Sequence, residues 1–338
     1  MKMIVKWYLA GFYKKPKGLK KPYNPILGER FRCFWSHPET NSRTFYIAEQ
    51  VSHHPPISAF YVTNRQDGFC ISGSILAKSK FYGNSISAIL DGTATLSLLT
   101  RGEDYLITMP YAHCKGIIMG PLGFELGGKV EIKCEKTGYH TEMEFRLKPF
   151  LSTQRCNLVV GKIKLGKETL ANLEGHWDSE IFITDKNNDG IKQLFWSPTP
   201  DIRAKRLKRF RVPIDQQERF ESEKLWERVS KAILDCDQVA ATEEKTKLEE
   251  EQRKGAKERL MKNENWLPKS FVLDVLNDDW VYKYADKRPW DPRTDVIQYE
   301  HEFFVETKTK HKPPTIILST NSLIEAKAEE LLRRVGSI

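Results

Sequence analysis

Between residues 30 and 197 the chain runs as short segments of alternating apolar and polar residues cut by Gly-bearing turn signals, and no other feature constrains its fold as tightly. Met143, Phe145 and Leu147 alternate with Glu142, Glu144 and Arg146, and Ala94, Leu96 and Leu98 alternate with Thr95 and Ser97. A period of two puts one set on each face of a strand. Asp67-Gly68, Asp91-Gly92, Gly127-Gly128, Thr137-Gly138 and Asp189-Gly190 recur at spacings that suit hairpin turns. A long antiparallel meander is expected, as a sheet or a barrel. Ile57 to Val62 is apolar on both faces, as where one face packs on helices and the other lines an apolar interior. Ordinary core packing accounts for the same residues. With 338 residues, 40% of them hydrophobic, one large domain can bury a sizeable core.

The flanks read as helical. Ile4, Tyr8 and Phe12 are one turn apart with Val5 and Leu9 alongside, which predicts an amphipathic helix over 4–12 packed on the body. Asp215 with Glu218 three residues on resembles a capping box, opening a helix whose Leu225, Trp226, Val229 and Ile233 face a core. A second helix is expected from about 238 to 262, where seven Lys or Arg and six Glu imply a solvated surface laced with ion pairs. Lys245, Glu249 and Arg253 are spaced by four there and share one stripe. Residues 266 to 300 carry Trp266, Phe271, Trp280, Tyr282, Tyr284 and Trp290 among Pro268, Pro289 and Pro292. They read as an irregular ordered arm clamped on the outside, its aromatics packing rather than caging a ligand. Beyond 305 the composition turns polar and then helix-like at 322 to 334, as in a loosely held tail.

No apolar run approaches the length of a membrane span, and the first twelve residues, interrupted by Lys6, do not form a signal peptide. Six dispersed cysteines without a CxxC pair read as reduced, mostly buried thiols of a cytosolic protein, without zinc or a disulfide framework. Cys-x5-Arg, Gly-x-Ser-x-Gly, Walker and His-Glu-x-x-His patterns are missing, so catalysis has no visible seat. The net charge of +9 is uneven: residues 1 to 30 hold eight Lys or Arg against one Glu. Residues 201 to 211 add Arg203, Lys205, Arg206, Lys208, Arg209 and Arg211 against Asp201. Such patches suit an anionic membrane, a nucleic acid or plain solvation, and charge alone does not choose.

Residues 49 to 56 read Glu-Gln-Val-Ser-His-His-Pro-Pro. Two imidazoles at a strand end form a small donor cluster suited to an anionic oxygen such as a phosphate. In isolation a His-His pair is more often structural or merely exposed than a site, and strand alternation makes neighbours poor co-ligands of one metal. The octet does not stand alone. Upstream lies Lys21-Pro22-Tyr23-Asn24-Pro25-Ile26-Leu27-Gly28-Glu29; downstream come Gly175-His176-Trp177-Asp178 and the Lys245, Glu249, Arg253 stripe. In content and order these blocks resemble the oxysterol-binding-protein-related lipid-transfer family, over about residues 1 to 300.

The resemblance implies a mainly β fold with some α: a large antiparallel, barrel-like sheet around a lipid tunnel, with N-terminal and C-terminal helices packed outside. It implies a lipid-binding domain over 1–305 that lacks its N-terminal lid, and a polar, partly helical tail over 306–338. The expected ligand is phosphatidylinositol 4-phosphate, exchanged between membranes for a second lipid. His53 and His54 would take the 4-phosphate with Arg253 beside them, Lys21 the phosphates and Asn24 the head group, while Lys245 and Glu249 complete a polar ring. Tyr13 to Gly18 and Asp67 to Ser74 resemble the branch that moves phosphatidylserine between endoplasmic reticulum and plasma membrane. Phosphatidylserine is therefore expected over sterol. The resemblance further implies a cytosolic, monomeric domain that meets anionic membrane surfaces at contact sites in the full-length protein, without a cofactor and without enzymatic activity. A sterol exchanger or a phosphoinositide sensor is the alternative. An inositol-lipid enzyme would need a nucleophile that is missing, and a nucleic-acid binder a reading module that is missing.

Overall fold

The computed structural model describes residues 1–14, 23–149, 153, 155–187 and 190–292. In chain order these hold α1 (Lys2–Leu9), β1 (Arg30–His37), β2 (Ser42–His53), β3 (Pro56–Asn64), β4 (Phe69–Phe81), β5 (Ser85–Asp91), β6 (Thr93–Leu98) and β7 (Glu103–Thr108). There follow β8 (Tyr111–Lys115), β9 (Gly123–Lys133), β10 (Tyr139–Arg146), β11 (Leu158–Leu165), β12 (Glu168–His176), β13 (Ile181–Asp185) and β14 (Lys192–Trp196). The rest are α2 (Pro200–Ala204), β15 (Arg209–Arg211), α3 (Ser222–Leu225), α4 (Glu227–Leu234), α5 (Gln238–Lys262), β16 (Phe271–Asp274) and β17 (Asp279–Tyr282). The fold is mostly β, with few helices and a large antiparallel sheet, as the alternation predicts. The described residues divide into two compact units, one from 1–14 with 73–206 and one from 23–72 with 207–292. No helix among the described residues is long and apolar enough to cross a membrane.

In the first unit the strands follow the order β14-β13-β12-β11-β10-β9-β7-β6-β4, with β5 joining β4 to β8 and β8 joining β9. Thr141, Met143 and Phe145 of β10 are buried while Glu142 and Arg146 face water. On the outer face Lys164 of β11 donates to both Glu142 carboxylate oxygens at 2.7 Å. The predicted N-terminal helix is present but stops at Leu9. Val5 and Leu9 are fully buried and Tyr8 nearly so, each worth about 2 kcal/mol of apolar transfer. Phe12 lies beyond the helix yet joins the same packing, its ring 5.0 Å from Tyr8 and 5.3 Å from Phe145. The Gly127-Gly128 pair is no hairpin turn. It lies inside β9, where the strand changes partner from β8 to β10, and a Cβ on Gly127 would sit 2.5 Å from the Tyr111 ring. The two glycines admit an aromatic ring from the neighbouring strand.

In the Gly175-His176-Trp177-Asp178 block Trp177 is fully buried, edge-on to Phe124 at 6.4 Å. His176 Nδ1 meets the Cys156 carbonyl at 2.8 Å, and Asp178 accepts from the Asn157 amide at 2.9 Å. These four residues are scaffold within the first unit. The cysteines are less uniformly buried than expected: Cys33, Cys70 and Cys134 are buried, Cys114 and Cys156 partly so, and Cys236 is exposed.

The second unit places β3-β2-β1-β15 side by side, all antiparallel. The expected capping box does not form. Residues 214 to 216 make one 3-10 turn, and Glu218 instead accepts from Arg30 at 2.6 Å and from Lys269 at 2.6 Å. Glu221 precedes α3 and takes a two-pronged ion pair from Arg32. Trp226 and Val229 are buried as predicted, whereas Ile233 is 41% exposed: the buried positions of α4 are Val229 and Ala232, and Ile233 sits one residue before the helix ends. The charged helix α5 is present over 238–262, with Asp237 capping the Ala240 N–H at 2.9 Å and Asn263 closing it in the left-handed conformation. The aromatic arm contains a regular hairpin, β16 with β17. Tyr282 stacks on Tyr61 at 4.9 Å. The basic run of 201–211 is partly structural: Arg209 lies over Phe31 and Arg211 pairs with Glu223.

Candidate functional site

Residues 23 to 29 are fixed from both sides. Tyr23 stacks on Trp226 at 4.7 Å and bonds Ser230 at 2.7 Å, while Ile26 packs with Trp226 and Val229. Glu29 accepts from the Trp226 indole at 3.0 Å and from the Ile26 N–H at 2.9 Å. On the other side the Gly28 N–H donates to the Gln50 carbonyl at 2.8 Å, and the Gln50 N–H donates to the Glu29 carbonyl at 2.9 Å. Tyr23, Ile26 and Glu29 thus anchor the block on α4. Asn24 is left exposed beside the end of β2.

The β2–β3 pairing carries a register shift between Gln50 and Ser52. An extra residue in one strand re-aims the side chains that follow. His53 ends the strand, while His54 lies in the turn and joins Pro55 through a cis peptide bond. Because His54 has left the strand, alternation no longer separates the imidazoles. Their rings meet edge to face, 4.7 Å apart.

Helix α5 supplies the third wall. Its Glu249 sits between two cations on the stripe, 3.8 Å from Lys245 and 3.7 Å from Arg253. Asn24, His53, His54, Glu249 and Arg253 line one cavity of about 830 Å³. Lys245 is not in the lining and reaches the cavity only through Glu249. Lys21 lies outside the described residues, as do Lys15, Lys17, Lys20 and the proposed tail over 306–338.

Sequence reasoning missed Gln252, Gln50 and Trp266. The Gln252 carbonyl oxygen accepts the Leu27 N–H at 2.7 Å, which turns its NH₂ toward His53 Nε2 at 2.9 Å. Nε2 therefore accepts, and the proton of a neutral ring belongs on Nδ1, where the Gln50 amide lies 3.2 Å away. The Gln50 atom placed there is its amide nitrogen, and its carbonyl oxygen is buried without a hydrogen-bond partner among the described residues; turning that amide over would let the oxygen accept the Nδ1–H. Burial lowers the His53 pKa below the ordinary imidazole value, with His54 adding to the shift and Glu249 opposing it. The resting ring is neutral at neutral pH. A signal for Gln252 existed, since it stands one residue before Arg253. Nothing in the sequence says that its amide would face β2. Trp266 closes the cavity over Gly28, whose φ of +81° and missing Cβ admit the indole.

The cavity lining combines Arg253, two imidazoles, Asn24 and Glu249 with the apolar Ile26, Leu27, Val51, Trp266 and Trp280. Such a lining suits an anionic group joined to an apolar body.

The oxysterol-binding protein family model matches residues 1–234. The chain is 64% identical over 317 residues to oxysterol-binding protein-related protein 8 of Homo sapiens, covering 94% of this chain. It spans only 36% of that relative's length. Two solved structures share the fold, each at 22% identity. One is the Osh1 ORD domain in complex with ergosterol, with TM-score 0.65 over 83% of this chain and 72% of that one. The other is the Osh3 ORD in complex with PI(4)P from Saccharomyces cerevisiae, with TM-score 0.61 over 87% and 80%.

Proposed function

Because this chain belongs to the oxysterol-binding protein family, we propose that the cavity at His53 and His54 holds the phosphorylated head group of phosphatidylinositol 4-phosphate. The domain exchanges that lipid for a second one between membranes. The observation that carries this reading is the convergence of Asn24, His53, His54, Glu249 and Arg253, from three distant stretches of sequence, on one cavity. A phosphomonoester carries up to two negative charges at neutral pH. Arg253 and the imidazoles supply charge-assisted donors for it, each such bond being about twice as strong as a neutral one. Asn24 both donates and accepts, as inositol hydroxyls require, and Glu249 accepts from those hydroxyls while holding Lys245 and Arg253 in place. The family resemblance alone assigns Lys21, outside the described residues, to the phosphates. His53 takes up a proton as the phosphate arrives and releases the Gln252 amide, so its second ring N–H becomes a donor.

The second lipid on this reading is phosphatidylserine. The similarity to oxysterol-binding protein-related protein 8 supports that choice, together with the Tyr13 to Gly18 and Asp67 to Ser74 stretches. The longer protein would work where endoplasmic reticulum and plasma membrane meet. The test is transfer of fluorescent phosphatidylinositol 4-phosphate, phosphatidylserine and sterol between liposomes. His53→Ala with His54→Ala should cut phosphoinositide extraction at least about tenfold. Asn24→Ala should weaken both lipids if one mouth serves both. Intact extraction by the double variant overturns the assignment of the pair, and sterol transfer without phosphatidylserine transfer replaces the second lipid. Release of inorganic phosphate would point to an enzyme instead.

A further inference from the structure

Two hairpin tips of the first unit are tied into one projecting knuckle by a single side chain. Asn84, in the β4–β5 turn, accepts the N–H groups of Ile118 and Met119 on its side-chain oxygen, both at 2.9 Å, and donates to the Met119 carbonyl at 2.8 Å. Its backbone carbonyl accepts the Gly116 and Ile117 N–H groups at 3.0 and 3.3 Å. The β8–β9 loop is thereby fastened to the neighbouring turn. On this locked surface Phe81, Tyr82, Ile118, Met119 and Leu122 are 52% to 74% exposed.

Large apolar side chains on a rigid tip gain nothing from water, and a cluster of them marks a contact surface. The backbone says which kind. The four successive N–H groups of residues 116 to 119 are all satisfied by Asn84, so the loop can enter a medium without water and strand none of them. Charge agrees. Residues 73–90 and 105–124 contain Lys78, Lys80 and Lys115 and no Asp or Glu. The register Lys80↔Ser87↔His113, with Ser85↔Lys115, puts the three lysines on one face behind the tip. Asp91 of β5 and Glu125 of β9 lie on the same two hairpins and pair with Lys78 and Lys115, so the charge of this face that is not spent in an ion pair is carried by Lys80.

We propose that this knuckle docks the domain on a lipid bilayer, inserting Phe81, Ile118 and Met119 at the headgroup boundary while Lys80 meets anionic headgroups. The surface belongs to the first unit and is built from different residues than the head-group cavity. The test uses the full chain and vesicles of phosphatidylcholine with or without phosphatidylserine, free of phosphoinositide, with Asn24→Ala run alongside so that any capture of phosphatidylserine in that cavity is separated from docking. Flotation of the wild-type chain with the phosphatidylserine vesicles is expected. Ile118→Ser with Met119→Ser should reduce the bound fraction about tenfold with unchanged circular dichroism and melting temperature. Lys80→Glu should weaken binding only where phosphatidylserine is present. Wild-type chain that does not float, or a serine variant that floats equally well, overturns the proposal. So does wild-type self-association in light scattering that the serine variant abolishes, because the face would then be a contact between copies.

Discussion

Gln252→Leu tests whether the histidine site is held the way the hydrogen bonds indicate. The substitution keeps the side chain's bulk but removes the acceptor of the Leu27 N–H and the donor to His53 Nε2. Each lost bond costs about 1 kcal/mol where water can enter, as it can in this open cavity, so the stability loss should be about 2 kcal/mol. For a chain of this size that is a fall of about 3 °C in melting temperature. The more telling effect is electrostatic. A donor on Nε2 favours the neutral ring, so its loss should move the His53 pKa upward, read by NMR of the imidazole against a His53→Ala control. Gln252→Glu separates the two roles: its carboxylate still accepts the Leu27 N–H and restores stability. It also pulls the His53 pKa up further and repels a phosphate, so phosphoinositide extraction should fall below that of Gln252→Leu. A Gln252→Leu chain with wild-type stability and an unmoved His53 titration would refute the bridge.

Phosphate binding should be proton-linked. His53 begins with its pKa lowered, chiefly by burial, and an adjacent phosphate raises it. Between those two values binding takes up a proton, and affinity falls as pH rises from about 6 to about 8. His53→Asn should flatten that slope relative to wild type in a liposome titration, and an unchanged slope would remove His53 from the linkage. The same lowered pKa means the unfolded chain binds the extra proton, so this residue's contribution to stability rises with pH and is lost as pH falls below about 6.5. Gly28→Ala should cost about 2 to 4 kcal/mol. It forces a side chain into φ +81° and drives a methyl to 2.3 Å from the Trp266 ring. Urea denaturation and Trp266 fluorescence read both effects, and a Gly28→Ala chain as stable as wild type would show that the indole does not rest there.

Much of the fold was legible because its signals are local. The period of two in β10, the charge density of α5 and the spacing of Val5, Tyr8 and Leu9 each report on a few neighbouring residues, and backbone geometry turns such periods into strands and helices. Reading failed where a local signal had two physical meanings. Gly127-Gly128 serves a turn or an intruding ring equally well, and only the approach of Tyr111 from β8 selects the second. Asp215 and Glu218 have the spacing of a capping box, but Arg30 and Lys269, distant in sequence, give Glu218 a better use.

The candidate site divides along the same line. The sequence by itself determined which groups were available: two imidazoles behind a proline pair, an Asn in the upstream block, and Lys245, Glu249 and Arg253 on one helical stripe. Tertiary structure alone decided that five of these six residues line one cavity, and that the bulge in β2 and the turn at His54 bring the two imidazole rings edge to face. It also brought in Gln252 and Trp266, which carry no motif. The physical reason is that chemistry is written in side-chain type, whereas proximity and protonation depend on which distant segments pack together. His53 is a neutral acceptor because an amide from residue 252, oriented by a backbone N–H at residue 27, meets it there.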